Sequence, residues 1–242
     1  MRETIEPTDS EPEPAARDSD DLASLEVATY FRAGGQGTVV GGDWYDVIEL
    51  PDGCTALVIG DVMGRGVRAA AVMTQVRDVV RTYARMGVSP LELMGSLDHL
   101  VAARFPEHFV TCVYAVFDHA DLSLQLVNAG HVPPLLTHPD GSCTRVTAAP
   151  HPPLGVGRAF EDLHRVVLSP GAGLVLYTDG LVERRRVDVE AGIESLRRTV
   201  AGLDVPVREA PEAIVHAQLP VVPDDDVAML VVRVRELRPG RG

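Results

Sequence analysis

Lysine is absent from this sequence of 242 residues, in which all 22 basic residues are arginine. The absence excludes mechanisms that need a lysine side chain, such as a nucleotide-binding P-loop, a kinase active site or Schiff-base catalysis. Long hydrophobic segments are also absent, since no run reaches the roughly 18 apolar residues of a membrane-spanning helix and the N-terminus lacks an apolar signal core. We therefore expect a cytoplasmic protein that makes no contact with a membrane.

Cysteine is scarce, with only Cys54, Cys112 and Cys143 in the chain. The three residues are scattered and lack the spacing of metal ligands. A cysteine-dependent phosphatase needs its thiolate in an anion-binding loop, and none of these residues lies in such a loop. The sequence therefore argues against catalysis or metal binding by cysteine.

Positive charge is in the minority, because 22 basic residues against 35 acidic residues give a formal net charge of −13. Nucleic-acid binding needs a basic surface, so nucleic acid is not an expected partner. An acidic chain can instead bind divalent cations or the basic surface of another protein.

The composition changes along the chain and indicates one main domain. Residues 1–24 contain eight acidic residues and three prolines, which is typical of a disordered acidic tail. Hydrophobic residues make up 45% of the whole sequence, enough for a well-packed core. We expect this core in a domain over residues 25–236, followed by a short tail at 237–242.

Apolar spacing predicts an alternation of strands and helices. Two adjacent long helices are predicted at about 67–86 and 90–104, the second beginning with a proline, and two more at 191–201 and 210–219. The order lacks the regular βαβ alternation of a parallel sheet and predicts an α+β sandwich of two mostly antiparallel sheets. The predicted strands are 25–31, 43–49, 55–60, 109–117, 122–126, 135–137, 143–147, 163–168, 173–178 and 227–234.

Aspartates fall at the ends of several predicted strands. Asp43 begins one strand of a hairpin, Asp61 ends the other, Asp179 follows a later strand, and Asp224–Asp226 precede the last. One such aspartate is often only a turn or cap residue, but several at one rim of a sandwich would converge. Converging carboxylates cannot all stay ionised without cations, and oxygen-rich sites suit Mg²⁺ or Mn²⁺. Two such ions can lower the pKa of a shared water, so the predicted reaction is direct attack of metal-activated water on phosphorus.

Six segments of the chain resemble, in order, the motifs of SpoIIE-type phosphatases, the bacterial branch of the PPM (type-2C-like) superfamily. The segments are Gly41–Asp46, Gly60–Gly66, Asn128–His131 with Pro133 and Pro134, Pro153–Gly157, Tyr177–Glu183 and Asp224–Ala228. A single Gly-Asp motif is nonspecific, but this ordered set is specific and covers about residues 25–235. The resemblance implies a four-layer α-β-β-α sandwich and a metal-dependent serine/threonine protein phosphatase.

The resemblance also implies roles at individual positions. Asp43 and Asp61 match metal-binding aspartates, with Asp61 as the bridge between two divalent ions, Mn²⁺ or Mg²⁺. The backbone carbonyl of Val62 would complete one coordination shell, and Asp179 matches a ligand of the second ion. These residues would form the catalytic centre.

Other positions in the motifs leave alternatives open. In the last motif the alignment favours Asp225 as the ligand, although a shift by one residue to Asp226 keeps an aspartate in place. Arg65 would contact the substrate phosphate or simply be hydrated. His131 would act as a general acid or stabilise its turn by a hydrogen bond, and Trp44 would wall the site or belong to the core.

The two long helices, residues 67–104, match the regulatory pair of the family. In relatives such helices can shift to organise the metal site and often take part in dimerisation, so a homodimer through them is expected. If the helices act as a switch, substituting Val76 or Val80 should change metal affinity or activity more than fold stability.

Three functions compete at this stage. The first is removal of phosphate from phosphoserine or phosphothreonine of a regulatory protein, which by resemblance is an anti-anti-sigma-type partner. The second is a non-catalytic pseudophosphatase that binds a partner in a partner-switching pathway. The third is a small-molecule phosphoesterase, although the chain has no nucleotide-binding glycine pattern.

Overall fold

A computed structural model describes residues 24–34, 41–147, 151–183, 188–219 and 225–236. The predicted acidic tail lies outside these ranges except for its last residue, and the predicted C-terminal tail lies outside them entirely. The elements in chain order are β1 (Leu25–Arg32), β2 (Trp44–Glu49), β3 (Cys54–Val62), α1 (Val67–Arg85), α2 (Pro90–Arg104), β4 (Val110–Asp118), β5 (Ser123–Ala129), β6 (Leu135–Thr137), β7 (Cys143–Arg145), β8 (His164–Val167), β9 (Gly173–Tyr177), α3 (Val189–Ala201), α4 (Ala210–Gln218) and β10 (Val227–Val234). Short 3₁₀ turns lie at Asp179–Leu181 and Val207–Glu209.

The strands form two five-stranded sheets, ordered β1-β10-β9-β6-β7 and β2-β3-β4-β5-β8. Every pairing between these strands is antiparallel. The α+β sandwich of antiparallel sheets predicted from the element order is therefore confirmed. Several predicted bounds differ from the observed ones by one to three residues. One of them concerns Asp61, which does not end its strand: β3 continues through Val62, which pairs with Val110 and donates its N–H to Gly42 O at 3.2 Å.

Three apolar clusters divide the molecule into four layers. One cluster fills the space between the two sheets and includes Ile59 of β3 and Leu230 of β10. A second joins α1 and α2 to the outer face of the β2-containing sheet, and a third joins α3 and α4 to the outer face of the other sheet. The layers are thus α-β-β-α, as the family resemblance implies. Among the helices in the described ranges, none is long and apolar enough to cross a membrane.

Val76 and Val80 lie on the sheet-facing side of α1 and are completely buried. Shortening either to alanine would remove apolar contacts and leave a cavity, at a cost of about 2 kcal/mol in the free energy of unfolding. Whether their substitution changes metal affinity or activity more than fold stability stays a prediction, to which this position adds a cost in stability. Their main role in the structure is to pack the helical layer on the sheet.

An ionic clamp, which we define as Asp46, Arg77 and Arg81, fastens α1 to β2. The carboxylate of Asp46 accepts two hydrogen bonds from Arg77, at 2.9 and 2.8 Å, and two from Arg81, at 3.0 and 2.6 Å. Asp46 is buried, whereas the two arginines keep about a third of their side-chain surface exposed. The clamp therefore attaches α1 to β2 at Asp46, which is only three residues after Asp43.

Asp98 of α2 makes the second polar attachment of the helical layer. Its Oδ1 accepts hydrogen bonds from the backbone N–H groups of Gly155, Val156 and Gly157, at 2.8, 3.1 and 3.2 Å. The loop that contains these three residues is therefore held by one buried carboxylate. This loop also joins the β2-containing sheet, because Leu154 exchanges two backbone hydrogen bonds with Val110 at the start of β4.

Candidate metal centre

The alternation of side chains along the strands brings the acidic residues to one end of the sandwich. Asp61 lies in phase with Ile59, which packs between the sheets, and so faces the same space. Asp226 precedes β10 in phase with Ala228, which also packs between the sheets. Asp43 directly precedes β2, and the antiparallel hairpin places it beside the end of β3. The inner faces of both sheets therefore contribute carboxylates to the same rim.

Two glycines allow this close approach. A Cβ atom on Gly41 would lie 1.3 Å from Oδ2 of Asp226, and one on Gly42 would lie 2.5 Å from the carbonyl oxygen of Val62. Any larger residue at either position would therefore collide with the acidic rim. Steric exclusion of any side chain thus explains why glycine occupies both positions before Asp43.

Asp43 is the most deeply buried of these acids, with 6% of its surface exposed. Burial, and next the nearby Asp61, raise its pKa strongly, while a side-chain hydrogen bond from Thr178 opposes the rise. Its Oδ2 is buried and has no hydrogen-bond partner among the described residues. An orphaned carboxylate oxygen in such a place is well suited to bind a cation.

Asp61 and Asp179 share this environment. Burial raises the pKa of Asp61, and the charges of Asp225 and Asp226 raise it further, against a hydrogen bond with Asp43 that lowers it. Burial, followed by the charge of Asp61, raises the pKa of Asp179 to about 6. The predicted residues thus lie within electrostatic reach of one another, and ionising all of them without a counter-charge is unfavourable.

The C-terminal aspartates have different partners. Asp225 forms an ion pair with Arg65, whose Nη2 lies 2.9 Å from Asp225 Oδ2, and both side chains are more than half exposed. Asp226 accepts a hydrogen bond from the N–H of Gly34 at 2.8 Å. The third member of the predicted cluster, Asp224, lies outside the described residues. Arg65 therefore contacts a predicted metal ligand, a partner that the sequence did not indicate.

A small cleft opens beside these carboxylates. Asp61 and Asp179 line it, together with residues from β4 and from the turn after β5, and the cleft can admit water. The lining residues are Asp61, Thr111, Gly130, His131, Val132 and Asp179.

His131 connects the two sheets at the back of this cleft. Its Nε2 lies 3.0 Å from the carbonyl oxygen of Tyr177 on β9, and its Nδ1 lies 2.8 Å from Oγ1 of Thr111 on β4. Because a carbonyl can only accept, Nε2 carries the proton and Nδ1 accepts from the threonine. Asn128 adds two hydrogen bonds to the backbone of His131. This arrangement fits the stabilising role of His131 and leaves no proton on Nδ1 to donate.

Burial lowers the pKa of His131 to about 4, below its ordinary value of 6.5. Between these pH values the unfolded chain binds a proton that the folded chain does not, so the histidine's contribution to stability is present above pH 6.5 and is lost as the pH falls toward 4. Relative to His131→Gln, the wild type should therefore lose about 3 kcal/mol of unfolding free energy between pH 7 and pH 4. Urea denaturation in EDTA measures this difference.

The matched control for this experiment is His216→Gln, because His216 is exposed on α4. Its difference from the wild type should stay nearly constant across the same pH range. An equally flat difference for His131→Gln would contradict the buried, neutral imidazole.

The structure also places residues that the sequence did not single out. Thr178 lies beside Asp43, whose pKa it acts to lower, and its Oγ1 accepts the N–H of Ala228 at 2.9 Å, so it links β9 to β10 next to the site. Its position directly before Asp179, in the same motif, was the only available signal.

Trp44 lies on the helix-facing side of β2 with 3% of its surface exposed, so it belongs to the core and does not wall the site.

The donor atoms suit a hard divalent cation, since they are carboxylate and carbonyl oxygens. Within the described ranges, however, no three acidic, histidine or cysteine side chains are gathered closely enough to hold an ion by themselves. The exposed ion pair of Arg65 with Asp225 is a weak competitor, worth at most about 1 kcal/mol.

The sequence of this chain is similar to those of known proteins. The family model described as Stage II sporulation protein E (SpoIIE) matches residues 51–235. Phosphoserine phosphatase RsbP of Bacillus subtilis (strain 168) is 28% identical over 168 residues, which are 66% of this chain and 40% of that protein. The chain thus spans less than half the length of this relative.

Two solved structures extend the comparison to the fold. The RsbU and RsbW domains of Rv1364c from Mycobacterium tuberculosis superpose with a TM-score of 0.80 at 30% identity, covering 89% of this chain and 61% of that one. The PP2C phosphatase domain of SpoIIE from Bacillus subtilis, solved with a fragment of its regulatory domain, gives 0.75 at 22% identity, covering 87% and 63%. The second likeness concerns the fold alone.

Proposed function

The chain belongs to the SpoIIE family, as its ordered motifs predict, and from this premise we propose that it is a metal-dependent serine/threonine protein phosphatase. The convergence of Asp43, Asp61 and Asp179, each with a raised pKa, carries the proposal. A purely structural role would not favour three mutually repelling acids, one buried and two half-buried, at one rim, because each would weaken the fold without a counter-charge. A function that brings cations to the rim accounts for them.

We propose that Asp43, Asp61, Asp179 and the carbonyl of Val62 hold two divalent ions, Mn²⁺ or Mg²⁺. Bound divalent ions would supply positive charge for the phosphoryl oxygens and lower the pKa of an attacking water. The chain's own part is to fix the carboxylates: Gly42 admits Val62, and Thr178 lies beside Asp43 and opposes the rise of its pKa.

For the remaining ligand we propose Asp225 rather than Asp226. The charge of Asp225 raises the pKa of Asp61 and Asp179, and that of Asp226 raises the pKa of Asp43 and Asp61, but Oδ1 of Asp226 already accepts the N–H of Gly34. Asp225→Asn should therefore weaken Mn²⁺ binding by about tenfold or more, and Asp226→Asn by less. Isothermal titration of each variant with MnCl₂ measures the affinities. The reverse order would move the ligand to Asp226.

The proposed substrate is phosphoserine or phosphothreonine on a regulatory protein. The curated relative RsbP is a phosphoserine phosphatase by name, which supports the type of phosphoester. The more specific proposal of an anti-anti-sigma-type partner is supported only by the family resemblance.

The experiment that tests the function measures hydrolysis of p-nitrophenyl phosphate with Mn²⁺, with Mg²⁺ and with EDTA. We expect turnover with at least one of the ions and none in EDTA. A folded sample that is inactive with both ions would favour the non-catalytic binding module. Faster turnover of small phosphorylated metabolites than of phosphopeptides would favour a small-molecule phosphoesterase.

A further inference from the structure

Two large apolar side chains, Met63 and Phe109, lie at the rim beside the acidic site. Their backbones are joined by a hydrogen bond from Met63 N–H to Phe109 O at 2.9 Å. Met63 has 51% of its surface exposed and Phe109 has 42%. Most large apolar residues of this chain are buried in its three clusters, so an exposed pair joined in this way needs an explanation.

The position of this pair relative to the site follows from strand geometry. Asp61 and Thr111 are directly paired across β3 and β4, and both line the cleft. Met63 and Phe109 lie two residues further along the same two chains, and their hydrogen bond continues the ladder by one step. Met63 follows the last residue of β3 and Phe109 precedes the first residue of β4, so the pair lies at the end of the ladder that carries Asp61 and Thr111. The apolar pair is therefore next to the cleft.

A third exposed apolar residue lies on a loop that joins the same edge of the sheet. Leu154 pairs with Val110, the residue after Phe109, and this pairing brings the loop that contains Val156 to the same edge. Val156 has 45% of its surface exposed, and Asp98 holds its backbone. We call Met63, Phe109 and Val156 the apolar lip. A backbone ladder between strands and a loop anchored by Asp98 therefore hold the residues of the lip in place.

Two arginines lie close to the lip along the chain. Arg65, which pairs with Asp225, lies two residues beyond Met63, and Arg158 lies two residues beyond Val156; both are exposed, as is Glu107, two residues before Phe109. This pairing of basic and apolar groups stands out in a chain with a net charge of −13. A phosphorylated peptide with an apolar side chain would match both features.

We propose that the apolar lip binds a hydrophobic side chain adjacent to the phosphoserine or phosphothreonine of a protein substrate, and so selects the sequence around the phosphorylated residue. The inference rests on the proposed phosphatase function. Met63 and Phe109 would act in specificity, with no part in the chemistry at the phosphorus atom. A small substrate without such a side chain would not use the lip.

The test compares two phosphoserine peptides that differ only in the flanking residues, leucine in one and glutamine in the other. The wild type should prefer the leucine peptide by about tenfold in kcat/KM, mainly through KM, as expected for burying one apolar side chain. Met63→Ser combined with Phe109→Ser should reduce the preference to nearly one. Hydrolysis of p-nitrophenyl phosphate should be unchanged, since this substrate has no flanking residue.

The matched control is Met86→Ser combined with Val167→Ser, which removes two other exposed apolar side chains, 70% and 71% exposed. Its preference should remain that of the wild type, and equal thermal midpoints would show that both double variants fold. A wild type that turns over both peptides equally, or a lip variant that keeps the preference, would overturn the proposal.

Peptide binding gives a second readout that does not depend on turnover. Fluorescence anisotropy with the two labelled peptides should show the same tenfold preference and its loss in the lip variant. Binding preference without any hydrolysis would remove the phosphatase function and keep the lip as a binding surface. A wild type that is dimeric by size-exclusion chromatography, with a monomeric lip variant, would assign the lip to a second copy of the chain and overturn the proposal.

Discussion

Asp61→Asn is expected to lower metal-dependent phosphatase activity about a thousandfold while making the metal-free chain more stable. The activity should fall because a proposed ligand of the divalent ions is lost, and charge stabilisation of several kcal/mol corresponds to about three powers of ten in rate. The stability rises because burial and the nearby acids raise the pKa of Asp61, so the ionised carboxylate is unfavourable in the fold and a neutral amide of the same shape relieves it. Opposite signs for activity and stability distinguish a functional site from a structural one.

The measurements are initial rates with MnCl₂ and thermal unfolding in EDTA at pH 7.5. Asp204→Asn is the control, since Asp204 is exposed in the connection between α3 and α4. This variant should keep both the rate and the melting temperature. If Asp61→Asn stayed active, or melted below the wild type in EDTA, Asp61 would not be a strained metal ligand.

The second large effect concerns the ionic clamp. Replacing Arg77 and Arg81 together by methionine should lower the free energy of unfolding by about 3–5 kcal/mol, because the carboxylate of Asp46 would be left buried without a partner. Asp46→Asn should cost clearly less. In that variant the two arginines, which are 31% and 37% exposed, can be hydrated where they stand.

Urea denaturation of the variants measures this asymmetry. Arg68→Met combined with Arg85→Met is the control, because both arginines are exposed on the same helix. Equal costs for removing the acid and removing the two bases would mean that Asp46 is not the desolvated partner. A large cost for the control pair would mean that charge on α1, rather than the clamp, stabilises the helix.

The sequence predicted the elements well where a periodic pattern or a special residue marked them. Pro90 fixed the start of α2, and the continuous apolar run of β10 matched its observed bounds. Asp43, Asp61 and Asp179 were expected at one rim, and the structure brings them within electrostatic reach of each other. Their role as metal ligands stays a prediction, since it depends on ions that coordinate them.

The contacts that the sequence could not predict join residues far apart in the chain. Asp46 could be recognised as part of a motif, but its partners lie 31 and 35 residues later, and only the packing of α1 on β2 brings them together. The partners of Asp98 could not be predicted either, because all three lie on a loop more than 50 residues away in the sequence. In both cases the periodicity of the helix predicts which of its sides is buried, whereas the partners on that side depend on tertiary packing.

The His131 bridge has a mechanical consequence. One neutral ring spans β4 and β9, which belong to different sheets, and it does so at the level where Asp61 and Asp179 face each other across the cleft. The ring is rigid, so it acts as a spacer that sets the width of the gap between the sheets at this end. The carboxylates on the two sides are thereby held at a fixed separation, and arriving ions need not pull the sheets together to reach both.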